Sequence, residues 1–155
     1  MRRTPQPTDA DQRLSNVRKG LLAVEVLGTY GKARWLLWRR DLPTVVLAVG
    51  TTGSKPSATP SGDPSLRLGA RLAGVTSRCL GALPSDSRCL VRSVVLMALL
   101  ARRGIASSLV IGVKPGDDFG AHAWIERDGQ PLLPVGGGAY SRLLELGEQS
   151  RASVP

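Results

Sequence analysis

The sequence predicts a single α+β domain, with helices first and an antiparallel sheet last, and three observations carry that expectation. The first half repeats apolar residues at helical steps. Residues 90–101 are apolar on nearly every side, as a buried central helix must be. From Ser107 onward the period shortens to that of β-strands. At 155 residues the chain can bury one real core and is too short for two domains of ordinary size. Composition divides it into an N-terminal helical region over residues 1–50, a flexible linker or loop over 51–64, and a core over 65–150.

The elements follow in order. After Pro5 and Pro7, Thr8 and Asp9 are candidate N-caps, and Leu14, Val17, Leu21 and Val24 recur at i, i+3, i+7 and i+10, one stripe of an amphipathic helix. Gly28 and Gly31 interrupt it, residues 32–40 continue as a basic and aromatic segment, and Pro43 precedes an apolar run to Val49, so two or three helices are expected. The tract GTTGSKPSATPSGDP, residues 50–64, buries too little apolar surface to offset its ordering entropy. Leu68, Leu72, Val75 and Cys79 then repeat at steps of four, three and four, a helix face turned to a core, and Pro84 stops that helix.

Ser85, Asp86 and Ser87 are N-cap candidates for the central helix, which ends on Arg102 and Arg103, cations beside the last carbonyls, and on Gly104, free to turn left-handed. SSLVIGV reads as a strand and GDDFG as a turn. AHAWIE and QPLLPV flank Asp128-Gly129, a strong two-residue hairpin signal. AYSRLLELG adds a further strand or a short helix.

A composition 42% hydrophobic and 21% charged fits a globular protein, and 21 Lys and Arg against 12 Asp and Glu give a net charge of +9, which favours acidic partners. The opening MRRTPQPTDADQR lacks the apolar stretch of a secretory signal. The longest apolar runs, residues 42–49 and 94–101, fall short of the roughly 18 to 20 residues that span a bilayer. A cytoplasmic setting follows, in which Cys79 and Cys89 stay reduced and act as core filler, ligand or nucleophile. One histidine and two cysteines without a CxxC pair give no closed metal set, so neither metal nor cofactor is expected.

Cys89 falls in the first turn of the central helix, where unpaired N–H groups and the positive end of the macrodipole favour a thiolate and can hold an oxyanion. His122, the only histidine, lies on the predicted strand AHAWIE. Cysteine and histidine on separate elements fit nucleophile and base, while core packing of the thiol and a satisfied polar histidine are the structural alternatives.

Four blocks in order, SRCLVRS at residues 87–93, LLARRGI at 99–105, LVIGV at 109–113 and AHAWIE at 121–126, resemble the lasso-peptide leader peptidases, related to the processing domain of the microcin maturation protease. The resemblance covers about a third of the chain, residues 85–135. It implies a fold similar to transglutaminases and papain-like enzymes, with Cys89 as nucleophile, His122 as base, and a carboxylate on the return strand to orient the imidazole. It also implies a lasso precursor as substrate, a separate leader-recognition protein, an ATP-using macrolactam synthetase downstream, and a bacterial cytoplasmic setting.

Here the sequence departs from the family. With Asp128-Gly129 as the turn, Arg127 pairs with Gln130 and His122 stands opposite Val135, beside Pro134, where the family's carboxylate is expected. Asp128 is the nearest carboxylate downstream and doubles as turn former. Glu126, on the same strand face as His122, and Asp117 or Asp118 in the preceding loop are the other candidates. Trp124 is expected to line the substrate groove or to pack on the central helix, and Arg92 and Ser93 to serve structurally. A binding subunit without catalysis, a basic nucleic-acid module and acyl transfer to an amine are the rival readings. The scarcity of aromatic residues, 4%, opposes the nucleic-acid one.

Overall fold

A computed structural model describes residues 9–50, 63–81, 88–115, 119–135 and 140–147. Four helices, α1 (Asp9–Arg39), α2 (Leu42–Gly50), α3 (Asp63–Gly81) and α4 (Arg88–Ala101), precede four strands, β1 (Ser108–Lys114), β2 (Gly120–Arg127), β3 (Gln130–Pro131) and β4 (Ser141–Gly147). The strands form one antiparallel sheet in the order β3-β2-β1-β4. The three outer helices pack around α4, and α4 packs on the sheet, chiefly on β2. The α+β arrangement expected from the change of period is the one observed. No described helix is long and apolar enough to cross a membrane.

Several helical expectations need correction. Gly28 and Gly31 do not interrupt α1, which runs unbroken to Arg39. Each helical glycine costs only about 1 kcal/mol against alanine, and packing of the inner face, with Val26, Thr29 and Ala33 buried, outweighs that. The stripe through Val17, Leu21 and Val24 faces outward instead of toward the core. On α3 the buried line runs through Ser65, Leu72, Ala73, Thr76 and Leu80, so Val75 and Cys79 sit at its edge and Leu68 is exposed. Asp63 and Pro64, expected in the linker, open α3, and residues 51–62 lie outside the described residues, as do Pro84 and the expected N-caps Ser85, Asp86 and Ser87.

Local chemistry sets the ends of the other helices. Asp41 caps α2, its carboxylate accepting from the Thr44 amide at 3.1 Å and from the Thr44 hydroxyl at 2.8 Å, bonds that hold its pKa below the usual aspartate value. Pro43, in the first turn of α2, forfeits no helical hydrogen bond. The core helix closes in a Schellman motif: Ile105 N donates to Leu100 O and Gly104 N to Ala101 O, both at 3.0 Å, with Gly104 at φ 67°. Arg103 donates to Leu99 O at 2.9 Å and, with Arg102, grips Glu25 on α1, the shortest contact being Arg103 Nη2 to Glu25 Oε2 at 2.8 Å.

The hairpin turn is the one expected. Asp128 at φ 50° and Gly129 at φ 73° make a left-handed pair, and Arg127 faces Gln130. The return strand is shorter than QPLLPV suggested. Pairing covers Gln130–Pro131 and extends through one further bond, Leu132 N to Ile125 O at 2.8 Å. Pro131 and Pro134 bring no N–H to the ladder. The segment left open between strand and short helix is β4, paired along β1 with a bulge between Ile111 and Gly112.

Candidate active site

The sheet edge explains how α4 is fixed. Ile125 O accepts from Leu132 N, so two residues back along β2 the Ala123 carbonyl points to the same edge, and the residue due to donate to it is Pro134, which has no N–H. Ser93 fills the vacancy: fully buried on α4, its hydroxyl donates to Ala123 O at 3.0 Å. Helix and strand are therefore joined one residue from His122. Cys89, one turn before Ser93, lies about 6 Å back along the helix axis. It is a free, half-buried thiol in the first turn of α4, packed against the core, where the opening N–H groups of a helix have no partner within the helix.

On β2, His122 is half-buried, and its Nε2 stands 3.0 Å from the main-chain carbonyl of Pro134. A carbonyl oxygen only accepts, so in this contact Nε2 is the donor, and in the neutral ring Nδ1 keeps its lone pair. The residue at which the family's carboxylate is expected thus meets the imidazole through its backbone.

Two aromatic rings flank the histidine. Trp124 stacks on it at 19° with centroids 6.2 Å apart, and Tyr140 lies tilted at 5.5 Å. The indole is held in turn, since its Nε1 donates to Glu126 Oε1 at 2.7 Å, and Arg142 on β4 grips both oxygens of that buried carboxylate at 2.9 and 2.8 Å. Gly112 on β1, paired with His122, makes room for the stack, for a Cβ there would stand 2.8 Å from one Trp124 ring carbon and 3.0 Å from the Tyr140 Cβ.

The expected third residue is not at this site. Asp128 sits at the hairpin tip, half in solvent, with Oδ2 3.4 Å from Arg127 Nε. It is six residues along β2 from His122, roughly 20 Å at the rise of a strand. Turn geometry and the neighbouring guanidinium account for it. Trp124, 3% exposed, forms a wall behind the histidine and not an open groove surface. Glu126 reaches His122 only through the indole, and Asp117 and Asp118 lie outside the described residues. Sequence reasoning missed the anchoring role of Ser93 and the Gly112 cradle. The predicted hairpin register held a signal for Ser93, because it sets Pro134 against Ala123; none marked Gly112, whose pairing with His122 lies across β1 and β2.

Among the described residues no three His, Cys, Asp or Glu side chains cluster as metal ligands would. No curated protein and no solved structure matches the chain significantly. A family model described as the transglutaminase-like superfamily matches residues 31–145, which takes in the end of α1, the three other helices and the sheet as far as Glu145 on β4. With well over half of its length matched, and with a cysteine-bearing helix packed on a histidine-bearing antiparallel strand, the chain belongs to the transglutaminase-like superfamily.

Proposed function

We propose that this chain is a cysteine peptidase that removes the leader from a lasso-peptide precursor, with Cys89 as nucleophile and His122 as base. The observation that carries the catalytic part is the 3.0 Å contact of His122 Nε2 with Pro134 O, which orients the imidazole on the strand to which Ser93 anchors the cysteine helix. The superfamily commonly includes cysteine proteases, which supports the reaction class. The four blocks from SRCLVRS to AHAWIE support the substrate.

In this mechanism Cys89 Sγ, its proton passed to His122 Nδ1, attacks the scissile carbonyl, and the first N–H groups of α4 hold the oxyanion. The C–N bond breaks as the imidazolium gives its proton to the leaving amine. Water then adds to the thioester, losing a proton to the imidazole, and the C–S bond breaks to release the acid and restore the thiol. Throughout, Nε2–H stays on Pro134 O. A neutral carbonyl stabilises the imidazolium less than a carboxylate does, so the cost falls on rate and not on the route.

The partners follow from the same reading: a separate leader-binding protein, an ATP-using macrolactam synthetase acting after cleavage, and a cytoplasmic setting. The backbone substitution at Pro134 specifically favours one rival, a precursor-binding subunit without catalysis. Mass spectrometry of a cognate precursor incubated with this chain and its leader-binding partner separates them. A single cut by wild type, lost in Cys89→Ala, supports the peptidase, whereas an intact precursor retained by correctly folded wild type supports the binding subunit.

A further inference from the structure

The outward stripe of α1 is longer than the sequence first suggests. Val17, Leu21, Val24, Gly28, Gly31, Trp35 and Trp38 follow one another at steps of four and three, the 3.5-residue repeat of a helix that packs along another helix. All seven are exposed, Val24 at 69% and Trp38 at 80%, while Val26 and Ala33 on the opposite face are buried in the domain. Among the described residues, and leaving aside the helix's own neighbouring backbone, nothing lies within 4 Å of a Cβ built on Gly28 or Gly31. Two glycines in an exposed helix interior weaken the helix and gain nothing inside the domain, but on a seam they let a second backbone come close. At the C-terminal end of the stripe, Arg39 lies over both indoles, 5.3 Å from Trp35 and 5.5 Å from Trp38, and limits the freedom those rings would lose on binding.

The flanks choose the occupant. Arg18, Lys32 and Arg39 border the seam on one side and Arg34 on the other, all exposed, while Glu25 in the same row is engaged by Arg102 and Arg103. A second copy is disfavoured in either orientation: parallel pairing sets Arg34 against Arg39 of the other copy, and antiparallel pairing sets the Arg18, Lys32 and Arg39 row against itself. A lipid surface would gain most from bulky residues at mid-stripe, where the glycines are. We propose that the outer face of α1 is a docking seam for an acidic amphipathic helix of a partner protein, its apolar edge over Gly28 and Gly31 and its carboxylates on the four cations. This surface stands apart from Cys89 and does not depend on the activity proposed above.

The test uses the full chain and a fluorescent peptide about four heptads long, with leucine at the seam positions and glutamate on both flanks. Controls are a scrambled peptide of equal composition, vesicles of phosphatidylglycerol, and the mass of the free protein in solution. The acidic amphipathic peptide should bind at least about tenfold more tightly than its scramble, and Gly31→Leu and Trp38→Ala should each weaken it by about tenfold. Gly31→Leu puts a better helix former at an open position, so an unchanged or raised melting temperature excludes unfolding as the cause. Binding should persist in Cys89→Ala, which keeps this result separate from that of the cleavage assay. Equal binding of the scramble, no binding, or indifference to both seam substitutions overturns the proposal. So does a dimer that Gly31→Leu dissociates, or vesicle binding that the peptide cannot displace.

Discussion

Ser93 and Gly112 hold the candidate site from opposite sides, one by a hydroxyl and the other by the lack of a side chain. In Ser93→Ala the Ala123 carbonyl loses its donor while Pro134 still offers none, so a buried acceptor goes unmet at about 1–3 kcal/mol. Chemical denaturation of the variant should give that loss. In Gly112→Ala the new methyl stands 2.8 Å from the Trp124 ring, and the indole must shift off His122. The expected cost is again about 1–3 kcal/mol, with turnover reduced beyond what the loss of folded protein explains. Ser93 was legible only as a structural residue, and Gly112 was not legible at all. Cys89 and His122 stood out in the sequence because their chemistry is rare in this chain, whereas Ser93 matters because Pro134, set opposite Ala123, lacks an N–H. Asp128 was the nearest carboxylate downstream, but the hairpin register already sets it at the turn tip, several residues along the strand from His122, and the turn is where it stands.

At the scale of elements, the ends were more legible than the faces. Gly104 after two arginines and Asp128-Gly129 between apolar runs announce their turns, since few residues accept left-handed backbone, and both are found there. The faces of α1 were misread because apolar spacing marks a stripe that will pack without saying on what; here the domain takes the Val26 and Ala33 side and leaves the other out. The shortness of β3 was hidden in the same way, as strand pattern counts side chains while the ladder needs N–H donors. The uninterrupted α1 carries its own prediction. Gly28→Ala and Gly31→Ala meet no neighbour among the described residues, and each should raise stability by about 0.5–1 kcal/mol, read as an upward shift in the denaturation midpoint.

At the scale of the whole molecule, Glu25 ties the first helix to the core helix seventy-eight residues on, through Arg103 and Arg102. The hydrogen bond from Arg103, more than any other contact, holds its carboxyl below the ordinary value of 4.5. A depressed carboxyl contributes stability that is complete above its unfolded pKa and disappears as pH falls through the folded one. Glu25→Gln should therefore cost about 1 kcal/mol near neutrality, the size of a partly exposed ion pair, and the difference from wild type should fade below about pH 4.5. Acid titration of the unfolding midpoint checks the sign. No sequence rule pairs Glu25 with Arg103, because the closure is set by how α1 lies on α4. Whether His122 makes Cys89 a nucleophile is read by peptide mapping after timed exposure to p-nitrophenyl acetate, with the other free thiol, Cys79, as internal control. Acetyl transfer to Cys89 should run well ahead of Cys79, at a rate about 10²–10⁴-fold lower in His122→Ala; acetylation of both thiols at one rate, or a Cys89 indifferent to His122→Ala, would rule the pair out as nucleophile and base.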